Sequence, residues 1–208
     1  MLTLHDYLPS QNGWKVRTLL SLLSIPYRLE PVSIFAGESR TDGFLTKNPA
    51  GAVPVLELED GRTIAESNAI LWYLADGTPF APEDPFDRAK VLQWMFFEQY
   101  YVEPTIGSLR FWTLTGRLDQ NAALVPAKRE GARRALRALQ LSLEAARFLA
   151  GDRLSIADIA IYAYGHVSGD AGFEIGEYPA LAAYFDRVAD AIGPDHPVHE
   201  YGPEAASK

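Results

Sequence analysis

A change of pattern near residue 77 constrains the fold of this chain more than any other feature of its sequence. Before that point, short strand-like segments alternate with helix-like segments, whereas nearly every later segment has helical periodicity. The boundary, residues 77–85, contains three prolines in nine positions, which is typical of a linker. We therefore predict an α/β domain over residues 1–76, a linker over 77–85 and an all-helical domain over 86–208.

The first 76 residues predict the element order βαβαββα. The predicted elements are a strand over 2–7, a helix over 14–23, a strand over 27–34, a short helix over 39–47, strands over 53–59 and 63–64, and a helix over 66–74. The first strand, helix and strand are long enough for a right-handed parallel crossover. Asp60 and Gly61 form a tight turn, so the last two strands are predicted to pair as an antiparallel hairpin.

The later part of the chain predicts helices only. Periodicity indicates long helices over 86–103 and 128–149, and a last helix from Pro179 to about residue 192. Ser155 and Asp158 have the spacing of a capping box, so another helix is expected to begin there. The tail contains further prolines and is predicted to be an extended wrap or frayed.

Charge and residue content exclude several classes of function. The chain carries 19 Lys and Arg against 27 Asp and Glu, and this net charge of −8 argues against binding to nucleic acid or to an anionic membrane. Cysteine is absent, which excludes disulfides, thiolate metal sites and a cysteine nucleophile. The four histidines lack metal-ligand spacing, so no metal is predicted. No apolar stretch approaches the ~18 residues of a membrane span and no secretory signal is visible, so we expect a cytoplasmic protein.

Three segments together resemble the cytosolic glutathione S-transferases. Residues 10–17, SQNGWKVR, are similar to the S/T-x-N-x-x-K-V motif of several bacterial members. Residues 48–56, NPAGAVPVL, resemble the N-P-x-x-x-V-P-x-L segment of the family, and residues 64–70, IAESNAI, resemble its I-x-E-S-x-A-I segment. The resemblance covers essentially the whole chain. It implies a thioredoxin-like glutathione-binding domain, a helical substrate-binding domain, and a homodimer that conjugates glutathione to small hydrophobic electrophiles in detoxification.

Ser10 and Asn12 are the candidates for activating the glutathione thiol. They lie at a strand-to-helix turn, where a hydrogen bond to a thiolate contributes ~1.5–3 kcal/mol and a helix N-terminus adds ~0.3–1 kcal/mol. Lowering a thiol pKa from ~8.5 by about two units requires ~2.7 kcal/mol, so these groups suffice. Both residue types are also common helix caps. Tyr7 is the competing candidate, because some family members use a tyrosine at the end of the first strand.

The resemblance also assigns the residues that bind glutathione. Glu66 would pair with the α-ammonium group, and Ser67 with the neighbouring N–H groups would hold the α-carboxylate. Val53 would present its backbone to the cysteinyl amide through a cis bond to Pro54. The alternative interpretations are a helix-start acid, a simple cap and a trans proline at an edge strand.

Two positions depart from the family pattern. Asn68 stands where many members have arginine, and Gly51 stands where some classes place a histidine that binds the glycyl end. Arg40 or Lys47 is a candidate substitute for that histidine. Lys15 follows the first motif and is predicted to lie either in solvent or close to the glutathione carboxylates.

Tyr101, Arg110 and Trp112 are the candidates for binding the hydrophobic substrate, with packing in the core or at an interface as the alternative. Two other functions stay open. One is a glutathione-dependent disulfide reductase that uses two glutathione molecules, and the other is a non-enzymatic binding or regulatory protein of the same fold.

Overall fold

A computed structural model describes residues 1–206 of the chain, which divides into two compact units. The first unit contains Met1–Asp76 together with Asp195–Glu200, and the second contains Gly77–Pro194 and the chain from Tyr201 onward. Within the described residues, no helix is both long enough and apolar enough to cross a bilayer.

The first unit is a mixed four-stranded sheet with helices. Its elements are β1 (Leu2–Asp6), α1 (Gln11–Leu22), β2 (Tyr27–Pro31), α2 (Asp42–Leu45), β3 (Val55–Glu57), β4 (Thr63–Ala65) and α3 (Ser67–Ala75). The strands lie in the order β2-β1-β3-β4, with β1 parallel to β2 and antiparallel to β3, and β3 antiparallel to β4. This arrangement confirms the predicted βαβαββα order and the thioredoxin-like class.

Helix α1 begins three residues earlier than predicted, because Ser10 caps it and the turn-forming residues 11–13 belong to the helix. Gly13 is required there, since a Cβ at this position would overlap the buried Asp6 carboxylate. The Arg17 side chain of α1 forms an ion pair with the same carboxylate. The start of α1 is therefore fixed directly on the end of β1.

Strand β2 ends before residue 34, where the sequence pattern had extended it. The chain turns after Pro31, and the Ser33 N–H donates to the Glu38 carboxylate at 2.6 Å. The Val32 N–H still donates to the Asp6 carbonyl of β1 at 2.8 Å, and from Ser33 onward the local hydrogen bond to Glu38 takes the place of pairing with β1.

The core of the first unit lies where α1 packs against α3. Val16, Leu19 and Leu20 of α1 and Ile70 and Leu71 of α3 are completely buried. Each such side chain contributes roughly 1.5–3 kcal/mol when it leaves water. This packing fixes α1 and α3 relative to each other.

The second unit is all-helical, as predicted. Its helices are α4 (Pro85–Phe97), a π-helical segment (Glu98–Gly107), α5 (Ser108–Leu114), α6 (Val125–Leu143), α7 (Ile156–Gly165) and α8 (Pro179–Ile192), with short 3₁₀ turns between them. The bounds of α8 agree with the prediction.

The predicted helix over 86–103 does not end at residue 103, because helical structure continues through Pro104. The wide turns of the π-helical segment accommodate the proline ring. The Ser108 hydroxyl donates to the Pro104 carbonyl at 2.9 Å, and the Lys128 ammonium donates to the same oxygen. These donors support the backbone where the regular hydrogen-bond pattern is interrupted.

Helix α6 ends at Leu143, six residues before the predicted end, although residues 144–149 are good helix formers. Phe148 and Leu149 are instead buried, and the Leu149 N–H donates to the Asp158 carboxylate at 2.9 Å. Tertiary burial therefore overrides the local helix preference.

The start of α7 confirms the predicted capping box. One Asp158 oxygen accepts from both the N–H and the hydroxyl of Ser155 at 2.8 Å. The other oxygen accepts from the Leu149 N–H at 2.9 Å and the Tyr184 hydroxyl at 3.0 Å. Desolvation by burial raises the pKa of Asp158, and these four hydrogen bonds oppose that increase.

Candidate active site

The starts of α1 and α3 meet in the first unit through three polar side chains. Lys15 is completely buried, and its Nζ donates to Asn12 Oδ1 at 2.9 Å and to Ser67 Oγ at 3.4 Å. The Ser67 hydroxyl donates to the same Asn12 oxygen at 3.3 Å. The structure thus brings a candidate from the first sequence motif into contact with one from the third, and it removes the solvent-exposed alternative for Lys15.

Ser10 is the N-cap of α1. Its Oγ accepts from the Gly13 N–H at 3.4 Å, which is a long hydrogen bond, and its own N–H donates to the Tyr7 carbonyl at 2.8 Å. A serine hydroxyl can accept at a cap and still donate its hydrogen elsewhere. The capping and thiol-activating roles are therefore compatible.

Tyr7 is buried, with only 8% of its surface exposed. Its ring packs edge-on against Phe35, with 5.8 Å between centroids. The end of β1 therefore places Tyr7 in packed surroundings, whereas Ser10 and Asn12 are each half-buried.

Helix α3 begins at a residue with an unusual backbone. Glu66 has φ 69° and ψ 115°, a region that side-chain-bearing residues rarely occupy and that costs about 1–3 kcal/mol. Its carboxylate is exposed, and no side chain caps the helix. Ser67 follows as the first helical residue and is buried. A helix start without a side-chain cap leaves donor groups for an anion.

The peptide bond between Val53 and Pro54 is cis, as the resemblance implies. Val53 packs its side chain against the buried cluster of Val32, Phe44 and Val55. This packing holds the backbone of Val53 in place two residues before β3.

Arg40 lies against Gly51, the position that departs from the histidine of some classes. The Arg40 guanidinium donates to the Ala50 carbonyl at 2.9 Å, and a Cβ on residue 51 would come within 2.7 Å of it. Gly51 also has a φ of 61°, which suits glycine. The side chain of Arg40 thus occupies the space that a larger residue at position 51 would take.

Lys47, the other candidate substitute, is used within the fold. Its Nζ lies 2.6 Å from a Glu57 carboxylate oxygen, which also lies 2.7 Å from the His5 ring nitrogen. The hydrogen bond from Lys47, followed by that from His5, holds the pKa of Glu57 below its usual range. Arg40 is accordingly the better candidate for a ligand carboxylate.

In the second unit, the three candidates for the hydrophobic substrate have separate surroundings. Tyr101 is exposed and lines a groove of about 560 Å³, whose other lining residues are Gln93, Phe96, Phe97, Gln99 and Tyr100. Arg110 is buried, donates to Asp170 at 2.9 Å and lies 5.8 Å from the centre of the Tyr201 ring. Trp112 is half-buried beneath the Lys128 ammonium. Neither Arg110 nor Trp112 lines the groove of Tyr101.

Family comparison agrees with this fold. The family model described as "Glutathione S-transferase, N-terminal domain" matches residues 9–76, and that described as "Glutathione S-transferase, C-terminal domain" matches residues 94–191. The chain belongs to the glutathione S-transferase family.

Two bacterial crystal structures are particularly similar. A possible glutathione S-transferase from Rhodopseudomonas palustris is 46% identical, with a TM-score of 0.88 and coverage of 91% of this chain and 94% of that one. A glutathione S-transferase from Pseudomonas fluorescens is 41% identical, with a TM-score of 0.88 and coverage of 98% of both chains.

Curated relatives carry different functional names. Maleylacetoacetate isomerase of Rhizobium meliloti is 30% identical over 203 residues, which are 93% of this chain and 95% of that protein. Elongation factor 1-gamma of Artemia salina is 34% identical over 143 residues, which are 66% of this chain but only 33% of that protein. The chain therefore spans about a third of the elongation factor but nearly all of the isomerase.

Proposed function

We propose that this protein is a glutathione transferase that activates the thiol of glutathione for attack on a small hydrophobic electrophile. The observation that carries this proposal is the contact between the starts of α1 and α3, where Lys15 and Ser67 both donate to the Asn12 amide oxygen. This contact brings together the turn at the start of α1, which is suited to bind a thiolate, and the start of α3, which is suited to bind a carboxylate. Glutathione carries both groups, and family membership supports it as the co-substrate.

Residues 1–76 supply the proposed contacts to glutathione. The exposed Glu66 carboxylate pairs with the α-ammonium group, and Ser67 with the first N–H groups of α3 binds the α-carboxylate. The backbone of Val53, ahead of the cis bond to Pro54, binds the cysteinyl amide. Arg40 binds the glycyl carboxylate from its position over residue 51.

Ser10 and Asn12 stabilise the thiolate in this proposal. A charge-assisted hydrogen bond from the hydroxyl or the amide contributes ~1.5–3 kcal/mol, and the N-terminus of α1 adds ~0.3–1 kcal/mol. Such a sum lowers the thiol pKa by about two units from ~8.5 and makes the thiolate the major form at neutral pH. The packed surroundings of Tyr7 favour Ser10 and Asn12 for this role.

The reaction needs no covalent contribution from the protein. With an aryl halide, the glutathione sulfur bonds to the ring carbon, the carbon–halogen bond breaks, halide leaves and the thiol proton passes to solvent. The second substrate binds the helical domain, residues 86–208, where the half-buried Trp112 presents aromatic surface outside the groove of Tyr101. The buried Arg110 supports that domain through Asp170.

The aromatic groove around Tyr101 is proposed as the interface of a homodimer. Phe96 and Tyr100 expose 69% and 74% of their surface, and such patches are typical of protein–protein contacts. The resemblance implies dimers with the helical domains near the two-fold axis. Light scattering after size exclusion should show a dimer, and Phe96→Lys should convert it to a monomer; a monomeric parent protein would contradict the proposal.

Calorimetry with glutathione tests the binding half of the proposal. The parent protein should bind with a Kd between about 1 μM and 1 mM, roughly −8 to −4 kcal/mol. Glu66→Ala and Ser67→Ala should each weaken binding, because charged groups of glutathione lose partners. Asp190→Ala, which removes an exposed acid of α8, is the charge-matched control for Glu66. Unchanged affinity in the Glu66 and Ser67 variants would remove α3 from the site.

The near-full-length similarity to maleylacetoacetate isomerase favours glutathione-dependent isomerisation as a second candidate. There the thiolate would add to a conjugated double bond, the remaining single bond would rotate, and the thiolate would leave again. Transfer consumes glutathione in proportion to product, whereas isomerisation regenerates it. Measuring glutathione consumption with an aryl halide and with maleylacetoacetate therefore separates the two reactions.

Mass spectrometry tests the route that any disulfide reduction would take. Because the chain has no cysteine, any such activity must run between bound small molecules. Oxidised glutathione should leave the intact mass of the protein unchanged, and a glutathionyl adduct would contradict this reasoning.

A further inference from the structure

We infer that Lys15 is a positioning residue that fixes the Asn12 side-chain amide so that its N–H donors face the glutathione thiol. The inference rests on the proposed function and deepens it, because it assigns the donor atom and the residue that orients it. It is carried by the hydrogen-bond triangle between Lys15, Asn12 and Ser67.

The donors and acceptors of the triangle allow only one orientation of the amide. Lys15 Nζ and Ser67 Oγ both donate to Asn12 Oδ1, at 2.9 and 3.3 Å. If the amide were rotated by half a turn, Asn12 Nδ2 would face the ammonium group donor to donor. An ammonium group has no acceptor, so that orientation has no hydrogen bond to Lys15 and adds electrostatic repulsion. The oxygen of Asn12 therefore points toward α3, and its NH₂ group points away from it.

The outward NH₂ group of Asn12 is available to a ligand. Within residues 1–206, no acceptor is paired with Asn12 Nδ2, and the side chain is half-buried rather than enclosed. Ser10, two residues earlier, caps the same helix through a long hydrogen bond from the Gly13 N–H. The thiolate is thus offered two neighbouring donors on one turn, and Lys15 controls the second of them.

From its location, Lys15 can affect the binding of two groups of glutathione, the thiol and the α-carboxylate. Its side chain is completely buried, and burying an ammonium group is costly unless oxygen atoms surround it. The second oxygen that it contacts belongs to Ser67, the first residue of α3. Loss of the ammonium group would therefore release the Asn12 amide and also remove positive charge from the proposed carboxylate site.

A double-mutant cycle distinguishes positioning from a direct electrostatic effect. The variants are Lys15→Met, Asn12→Ala and the pair, and the measured quantity is the pKa of the bound glutathione thiol, followed through the ultraviolet absorbance of the thiolate. Each single variant should raise that pKa by about one unit, a tenfold loss of thiolate at neutral pH. If Lys15 acts through Asn12, the double variant should be no worse than the more impaired single variant.

Conservative replacements of Lys15 separate the loss of its charge from the loss of its packing. Lys15→Arg retains charged donors and should preserve most of the activation. Where Lys15→Met lowers the urea midpoint, Lys15→Gln replaces it in the same cycle, since a glutamine amide still fills the space. Glutathione affinity, measured in parallel, should fall modestly for the Lys15 variants and little for Asn12→Ala.

Three results would overturn the inference. Additive effects of the two substitutions would show that Lys15 acts on the thiolate without Asn12, and an unshifted pKa in Lys15→Met would show that it does not act at all. In both cases an activated thiol in the parent protein leaves the proposed function intact. A parent protein that binds glutathione with an ordinary thiol pKa would overturn the inference and the proposed thiol activation together.

Discussion

The starts of helices α3 and α7 use the same residue types in opposite ways. At α7, Ser155 and Asp158 form a closed cap in which both carboxylate oxygens accept two hydrogen bonds each. At α3, Glu66 is exposed in a strained backbone conformation, no side chain caps the helix, and Ser67 turns toward Lys15 and Asn12.

This difference separates a structural serine–acid pair from one that we propose binds glutathione. The closed cap of α7 satisfies its own backbone donors and contributes to folding. The start of α3 has a strained backbone and no side-chain cap, which supports the proposal that its N–H donors bind an anion. The two sites should accordingly respond to mutation in different measurements.

Asp158→Ala is expected to have the largest effect on folding. It leaves four donors without their acceptor in a buried region, and each unsatisfied group costs about 1–3 kcal/mol before relaxation. We expect the free energy of unfolding to fall by about 3–5 kcal/mol in urea titrations, while the folded fraction still binds glutathione with unchanged affinity. A stable variant with weakened binding would reverse the roles assigned to the two helix starts.

Asp6, beneath the start of α1, should give the next largest effect, as a dependence of stability on pH. Desolvation raises its pKa from 3.8 to about 6, against the opposing influence of Arg17. Between these values the unfolded chain loses the proton while the folded protein retains it, so this group destabilises the folded state as pH rises from about 4 to 6.

The Asp6 contribution approaches about 3 kcal/mol above pH 6 and is absent below about pH 4. Asp6→Asn cannot titrate, so the difference in unfolding free energy between parent and variant should shift by that amount across the window. A constant difference from pH 4 to 7 would show that the folded Asp6 has an ordinary pKa.

Glu66→Gly should give the smallest change in stability, and its effects on stability and on glutathione affinity should have opposite signs. Glycine adopts positive φ without the cost that a side chain imposes, so relief of strain should stabilise the folded protein. The greater entropy of the unfolded glycine chain offsets part of this gain, and the net increase in stability should be at most about 1 kcal/mol. Glutathione affinity should nevertheless fall, because the α-ammonium group loses its partner. Glu66→Gln, which keeps the side chain and the strain, is the control for stability. A variant that loses both stability and affinity would contradict a strained, ligand-directed start for α3.

Patterns with a local physical cause could be predicted from the sequence. The capping box at Ser155, the bounds of α8 and the hairpin after Pro54 depend on spacing and turn chemistry that neighbouring residues determine. Two errors in the second unit arose where contacts outside the predicted helix decide its bounds. Helix α6 stops early because Leu149 binds Asp158, and the helix runs through Pro104 because Lys128 supports the opened backbone.

The candidate site shows the same division. The motifs predict Ser67 at a helix start and Asn12 in the turn before one, whereas the structure includes Asn12 in the first turn of α1. They do not predict the burial of Lys15, because lysine is rarely buried. The separation of Asn12 and Lys15 by three residues on one helix face was the available signal for their contact. Nothing in the local sequence indicated that Ser67 would complete the triangle.

The pKa of the bound glutathione thiol in Ser10→Ala and Tyr7→Phe tests the central claim most directly. We expect the parent protein to hold this pKa about two units below ~8.5, Ser10→Ala to raise it by about one to two units, and Tyr7→Phe to leave it unchanged. Turnover at neutral pH should follow the thiolate fraction, with little change in glutathione affinity. If Tyr7→Phe raises the pKa and Ser10→Ala does not, the thiol is activated by the tyrosine and the role assigned to the start of α1 is wrong.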